Sequence, residues 1–261
     1  MSDSDFQTYK GIALLIAFVV VFVAQTLFPY RGSVRQVLGN SRLNLSLAMI
    51  NFVIVNLVCA GCVCSLAIAI EERGMGLTNW ARGPLWTRVL ISVVLLDFVA
   101  FGWHWANHRV RLLWRFHAVH HTDNIFDAST AFRFHPGELL ISLGVRLGIV
   151  ATFGLPVYGI LLFEMIYGLA NTFEHGNIRC ASTFERALSL IFVTPSIHRK
   201  HHSRNVGESN RNFGTIFSFW DKCFGTYLPS SSAEQIDVGV SEHIDSPLGL
   251  RQLISLPLMM R

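Results

Sequence analysis

Apolar positions in this chain come in long unbroken runs rather than in alternating or one-faced stripes. Residues 11–30 (GIALLIAFVVVFVAQTLFPY) carry no charge and end at Pro29 and Arg31. At ~1.5 Å per residue such a run reaches ~30 Å, the thickness of a bilayer core. Residues 45–70 (LSLAMINFVIVNLVCAGCVCSLAIAI) are again uncharged and stop at Glu71-Glu72-Arg73. Residues 89–103 are apolar except for Asp97 and lead straight into His104, Trp105 and His108. Each run predicts a membrane-spanning helix. The fourth region, 139–175, is too long for one crossing, and Gly154-Leu155-Pro156 interrupts it with a residue that removes a helical hydrogen bond. It predicts a helical hairpin, with arms of about 139–153 and 157–175 that enter and leave by one face. Beyond 176 no run is long enough to cross. The short apolar stretch 187–194 is expected at the interface or in a core. The tail 246–260 has helical apolar spacing and is expected to rest on the membrane surface. The pattern predicts an all-α, polytopic membrane protein.

Composition agrees. Of 261 residues, 51% are hydrophobic and only 15% charged, with a mean hydropathy of +0.43, whereas a soluble globule carries ~25% charge. The net charge of +4 is too small to argue for a nucleic-acid partner, and in so apolar a chain it faces lipid headgroups or sets topology. Arg31, Arg35 and Arg42 in the expected loop 31–44 are matched by Arg73, Arg82 and Arg88 in loop 71–88, so charge counting barely orients the chain. The five cysteines, Cys59, Cys62, Cys64, Cys180 and Cys223, are expected to be small buried hydrophobes rather than a disulfide framework or zinc site.

The chemistry lies in the histidines. Ten of eleven fall between 104 and 202, as His104-x3-His108, His117-x2-His120-His121, His135, His175 and His198-x2-His201-His202; only His243 stands apart. Rings at i, i+3 and i+4 share a helix face, and neutral imidazole is the commonest protein metal ligand. First-row ions take four to six donors, so ten rings suit two adjacent ions of about five donors each. A bis-histidine haem would leave both H-x2-HH sets idle. The rings meet only if 104–121, 135, 175 and 198–202 share one side of the bilayer, which the hairpin reading of 139–175 requires and a single crossing forbids. With every candidate ligand neutral, carboxylates are expected to accept the other ring N–H groups. Asp97, two helical turns before His104 and inside an apolar run, is the first choice, then Asp221 and Glu174, with Asp123 and Asp127 in the loop after the second cluster.

These residues carry a family resemblance. D-F-V-A-F-G-W-H-W-A-N-H-R (97–109) and F-H-A-V-H-H-T-D (116–123) resemble the first two histidine boxes of the fatty acid hydroxylase / sterol desaturase superfamily. A-F-R-F-H-P-G-E (131–138), N-T-F-E-H-G-N (171–177), H-R-K-H-H-S (198–203), N-R-N-F-G (210–214) and W-D-K-C-F-G-T-Y (220–227) are similar to its later elements. The resemblance implies a non-haem di-iron membrane enzyme that activates O2 and hydroxylates, desaturates or otherwise oxidises a membrane lipid, sterol or fatty-acyl substrate, with zinc an inactive substitute. A separate donor (ferredoxin, cytochrome b5 or reductase) is implied, since the chain has no spare soluble segment. The implied location is the bacterial inner membrane or the endoplasmic reticulum, with a cytosolic catalytic face. It further implies a division into 1–88, two spans and their loops, and 89–261, a catalytic domain with a histidine-rich cap of interfacial helices. In the fatty acid 2-hydroxylase branch a His-x3-His pair precedes the last box; here Asn171 holds the first position and only His175 remains. His135 is therefore expected to supply the missing ring, or else to touch substrate, with Asn171 beside the centre. A non-catalytic metal- or lipid-binding protein is the reading of another class.

Four further expectations concern the substrate and the topology. Phe213, Phe217, Trp220 and Phe224, at i, i+4, i+7 and i+11, would form one helical face lining a lipid entrance or a packed core. Glu164 either polarises the deep end of a substrate cavity or pairs with Arg146 in the other hairpin arm. Arg133, Arg199 and Lys200 either hold a headgroup or an acidic donor or are ordinary positive-inside residues. The three crossings before the metal face put the N-terminus on the opposite side.

Overall fold

The computed structural model describes residues 3–59, 61–81, 83–230, 234–240 and 248–260; Arg82, His243 and residues 246–247 lie outside them. In chain order the helices are α1 (Asp3–Leu27), α2 (Val34–Cys59), α3 (Cys62–Glu72), α4 (Leu77–Trp80), α5 (Leu85–Arg109), α6 (Arg111–His121), α7 (Pro136–Phe153), α8 (Val157–Glu174), α9 (Ser182–Leu188), α10 (Pro195–His201), α11 (Val206–Ser209), α12 (Phe219–Cys223) and α13 (Leu250–Met259), with a 3-10 turn at Ala128–Phe132. Three isolated β-bridges are the only β pairing among the described residues. Four stretches of these residues are long and apolar enough to cross a membrane, Thr8–Leu27, Val34–Trp80, Leu85–Arg109 and Pro136–Phe153. Leu15, Met49, Phe52 and Leu57 turn outward from α1 and α2, each more than half exposed, as lipid-facing side chains do.

Lipid gives little hydrophobic reward for bringing helices together, so close packing must hold them. Helix α8 is the central element, packed on α5 and α1. At Gly159 it approaches α5 so closely that an added Cβ would lie 2.6 Å from the Ser92 side chain. The apolar core at this level joins Val93 and Leu96 of α5 to Val150, Leu155, Val157, Ile160 and Leu161 of the hairpin.

The hairpin turns where the sequence breaks. Gly154 ends α7 in the left-handed conformation (φ 66°), and Pro156 opens α8. Helix α4 and the connection before it clamp this turn: Thr78 Oγ1 donates to the Gly154 carbonyl at 2.6 Å, and a Cβ on Gly154 would meet the Met75 carbonyl at 2.4 Å. From the turn the arms part. Helix α7 packs on α3 and α2, α8 on α5 and α1.

Four expectations need correction. The uncharged run 45–70 is not one helix, because left-handed Gly61 (φ 70°) separates α2 from α3. Beside that break Cys59 and Cys62 are joined by a disulfide, a local link where reduced, core-like cysteines were expected; Cys223 is exposed. The expected loop 31–44 is helical from Val34, since Ser33 and Gln36 cap one another: the Ser33 N–H donates to Gln36 Oε1 at 2.9 Å, and the Gln36 N–H to Ser33 Oγ at 3.4 Å. Finally, Phe213, Phe217, Trp220 and Phe224 do not share a helix, because α12 begins only at Phe219, after irregular backbone that includes left-handed Asn212 (φ 58°). Phe213 is fully buried, Phe217 stacks on Phe192, and Trp220 and Phe224 pack on Phe98.

Two short apolar stretches complete the fold. Within 187–194, Leu190 and Ile191 are exposed while Val193 and Thr194 are buried. In the tail, α13 buries Leu253 and Leu256 against Leu47, Ala118 and Val119, and leaves Leu258 outward.

Candidate metal centre

The histidines arrive on four elements. The last turns of α5 carry His104 and His108; the last turns of α6 carry His117, His120 and His121. His175 closes α8, and α10 with its C-cap brings His198, His201 and His202. The structure sorts nine of these rings into two groups: His104, His108, His117, His121 and His201 in one, and His120, His175, His198 and His202 in the other. Within each group, one ring nitrogen per residue lies within 4.8 Å of all the others. The groups adjoin, since His121 stacks on His202 with centroids 4.3 Å apart.

The hydrogen bonds set the tautomers. A carbonyl only accepts, so a ring nitrogen that meets one carries the proton. By this rule His104 Nδ1 donates to the Phe213 carbonyl at 2.8 Å, His201 Nδ1 to that of Arg211 at 2.7 Å, and His175 Nδ1 to that of Asn171 at 2.7 Å. His120 Nδ1 donates to the Arg133 carbonyl at 3.3 Å. In a neutral ring the Nε2 is then a bare lone pair. In the first group all five Nε2 atoms are buried without a hydrogen-bond partner. In the second, the Nε2 of His175 lies 3.1 Å from that of His120 and 3.0 Å from that of His198, which is 3.2 Å from that of His202. Facing lone pairs of His120 and His175 repel unless a cation lies between them. Donors ~2.1 Å from one ion are themselves ~3 Å apart. The residues fit two metal ions.

Burial disfavours the charged form of an imidazole. It pulls the His201 imidazole down to about 3 and the His175 imidazole down to about 4, against their carbonyl hydrogen bonds. Burial, and then repulsion by neighbouring rings, holds His120, His121, His198 and His202 well below the ordinary imidazole value. Aromatic side chains close the outer side. Phe126, fully buried in a left-handed conformation (φ 55°), covers His202 and His175, and Trp114 packs on His108 and His121.

The outer partners differ from those expected. Glu138 was not singled out, yet its Oε1 accepts from His117 Nδ1 at 2.8 Å and from Asn107 Nδ2 at 3.0 Å, all three being buried. Its signal was a carboxylate in the first turn of an apolar helix, just behind the His135-Pro136 start. Glu174 stands close, with Oε2 3.7 Å from His198 Nδ1 and Oε1 4.0 Å from His175 Nδ1. Asp221 acts at one remove. It accepts the Phe213 and Gly214 N–H groups, both at 2.8 Å, and so fixes the loop whose carbonyl holds His104. Asp97 does not meet His104; it accepts Trp220 Nε1 at 2.8 Å and ties α12 to α5.

Other candidates are placed elsewhere. His135 joins neither group: it caps α7, accepting the Gly137 N–H at Nδ1, while Nε2 donates to the Ile254 carbonyl at 3.0 Å. Asn171 Nδ2 donates to the Ala131 carbonyl. Asp123 accepts from Asn40 and Asn44, and Asp127 from Asn40 and Ser41, fastening α2 to the 3-10 turn. Arg133 is buried on Val119, Asn44 and Thr122, Arg199 is buried over the Tyr30 ring, and Lys200 pairs with Glu234, so the first two offer no charge to a surface ligand.

Between the parted arms of the hairpin a cavity of about 190 Å³ runs up to His104, His117, His120, His175 and His198. Leu96, Val99, Ala100, Leu139, Val145 and Phe163 make most of its wall apolar, and Glu138 and Glu174 flank its upper end. An apolar chain can therefore lie against rings of both groups.

Comparison with known proteins adds the following. A family model described as fatty acid hydroxylase matches residues 89–226, over half of the chain. The chain is 28% identical over 158 residues to an ornithine lipid hydroxylase of Rhizobium tropici, covering 60% of this chain and 47% of that protein. It is 30% identical over 170 residues to the alkylglycerol monooxygenase of Homo sapiens (64% and 35%) and 27% identical over 184 residues to the cholesterol 25-hydroxylase of Rattus norvegicus (65% and 60%). The matched stretch thus spans less than two thirds of each relative's own length. No solved structure matches.

Proposed function

Because the chain belongs to the fatty acid hydroxylase family, we propose that it is a di-iron membrane oxygenase that hydroxylates an unactivated C–H bond of a lipid, sterol or fatty-acyl substrate. The observation that carries this reading is the convergence of nine buried or half-buried rings in two adjoining groups, five of which line the end of a mostly apolar cavity within the membrane-spanning bundle. The relatives named as hydroxylases and a monooxygenase of lipids and a sterol support the reaction class.

In this reading His104, His108, His117, His121 and His201 hold one iron and His120, His175, His198 and His202 the other; with O2 and electrons from a separate one-electron donor, the pair supplies the oxidation of the C–H bond. The chain supplies the rest. Backbone carbonyls of Phe213, Arg211, Asn171 and Arg133 keep each Nδ1 protonated, so each Nε2 stays available. Glu138 draws on the His117 proton and makes that ring more basic. Glu174, buried beside His198 and His175, places a carboxyl group next to the second group. The apolar wall orients the substrate's carbon against the rings and excludes water, while Phe126 and Trp114 close the outer side. Residues 1–88 carry spans that frame this unit, and the metal face is cytosolic, in a bacterial inner membrane or the endoplasmic reticulum.

The test is reconstitution of the full chain in lipid nanodiscs with ferrous iron, a chemical reductant and labelled O2, presenting a membrane lipid extract. The expected result is two irons per chain and label in one lipid class. His120→Ala and His201→Ala are each expected to lower iron below two per chain and to abolish product. An unlabelled product with a new double bond would make the chain a desaturase; two irons without O2 uptake under full reduction would make it a non-catalytic binder.

A further inference from the structure

The cavity has a second chemical end. Eight residues beyond Glu138 on α7, ~12 Å along the helix axis, Arg146 lines the same cavity as the histidines. Its guanidinium pairs with Glu164 of α8, Nη1 to Oε1 at 2.8 Å. The other carboxylate oxygen, Oε2, is already taken by Lys10 of α1 at 2.7 Å. Lys10 and Glu164 are mostly buried, with 17% and 23% of their side-chain surface exposed, and Arg146 is open by 36%. Lys10 lies within the span Thr8–Leu27 and Arg146 within the span Pro136–Phe153.

Charge counting gives the point of the arrangement. Two cations share one carboxylate, so the trio keeps a surplus positive charge at membrane depth, where an unpaired charge is costly. A cross-link between the hairpin arms and α1 needs only one cation, since Lys10 by itself neutralises Glu164. Among the described residues Arg146 has Glu164 as its one ion-pair partner, which engages only Nη1, and Arg146 is itself part of the cavity lining. The wall that Arg146 shares with the rings is mostly apolar, and its two carboxylates, Glu138 and Glu174, stand beside the histidines.

We propose that Arg146 is a specificity-determining residue that binds an oxyanion, a carboxylate or a phosphate, at the end of an amphiphilic substrate remote from the carbon presented to the histidines. The proposal rests on the function given above only for which end meets the metals; binding itself needs no turnover. Guanidinium suits the role because its planar fork takes a carboxylate or phosphate with two parallel hydrogen bonds. Glu164 sets the strength: it orients the guanidinium and, by its charge, weakens the hold on an anion.

The test measures equilibrium binding of dodecanoate, dodecyl phosphate and dodecanol to the metal-loaded full chain in neutral-lipid nanodiscs, by tryptophan fluorescence, which Trp103 in the cavity wall reports. The wild type is expected to prefer at least one of the two anions over the alcohol by about tenfold or more, the range of a charge-assisted hydrogen bond; the better of the two names the oxyanion. Arg146→Met is expected to remove that preference while alcohol binding is kept, Arg146→Lys to keep part of it, and Glu164→Gln to tighten anion binding. This opposite response of the two partners is one that a purely structural ion pair would not give. Equal losses for all three ligands in both variants, or an anion preference unchanged in Arg146→Met, overturns the proposal. Anion binding with this pattern but no labelled lipid product would sink the oxygenase reading and leave the inference standing. Full hydroxylation of a neutral lipid by Arg146→Met, with wild-type KM, would do the reverse.

Discussion

A ring that must hold a metal at neutral pH has to stay unprotonated and present the right nitrogen, and individual residues achieve both here. His201 is fully buried and held to about 3, while its unfolded counterpart titrates near 6.5. Between those values the unfolded chain binds more protons than the folded one, so stability falls as pH falls and is level above about pH 7. The metal-free protein is therefore expected to lose several kcal/mol between pH 6.5 and 4, as each depressed imidazole contributes up to 1.4 kcal/mol per pH unit. Thermal unfolding in detergent over that range checks it; a flat profile would show that the rings are not held neutral. The outer partners make a second prediction. Glu138→Gln removes the charge that faces His117 and is expected to weaken metal binding by ~10–100-fold, read by competition with a chelator. Asp97→Asn, which touches Trp220 and no ring, is expected to leave that affinity unchanged.

At the scale of elements, two short connections decide whether the helices can frame the site. The hairpin turn depends on Gly154, whose positive φ and contact with the Met75 carbonyl leave no room for a Cβ. Gly154→Ala is expected to cost at least ~1–2 kcal/mol for the left-handed backbone alone, and more for the clash. Because the turn lies at the opposite end of α7 and α8 from Glu138 and Glu174, metal bound per folded chain is expected to match the wild type. Denaturation midpoints alongside metal analysis separate those outcomes. The Cys59–Cys62 link and Gly61 act on a different join, breaking a run that composition alone reads as one helix so that α3 packs on α7.

Over the whole molecule, the two groups of histidines are a fastening as well as a site. They draw together residues from α5, α6, the end of α8 and α10, elements far apart in the chain. Metal held a thousandfold above its Kd adds about 4 kcal/mol to the folded state. Stripping the metal is expected to lower the apparent melting temperature by roughly 10 °C for a chain of this length, recovered on adding ferrous iron. No recovery, or no loss, would mean that the fold closes the centre without an ion. The cavity is likewise a property of the whole, since its walls come from α5, α7 and α8 and its charged far end needs α1 as well.

Much of this was legible in the chain. Uncharged runs of bilayer length, the break at Gly154-Leu155-Pro156 and the ring spacing at i, i+3 and i+4 are local patterns, and they sufficed for an all-α membrane bundle, a returning hairpin and a ten-histidine candidate list. Spacing could not say which rings join which group, because the partners of His104 and His120 lie up to about a hundred residues away and are chosen by how α5, α6, α8 and α10 cross. For the same reason His135, a box residue by sequence, turned out to cap α7; Asp97 found Trp220 instead of His104; and Glu138 took the role assigned to Asp97. The split of two cations over one carboxylate at Glu164 likewise exists only once α1 stands against α8. Local pattern determines what a segment is, because that is settled by solvent and backbone; which side chains share a site depends on contacts distant in sequence, and only the packed structure decides them.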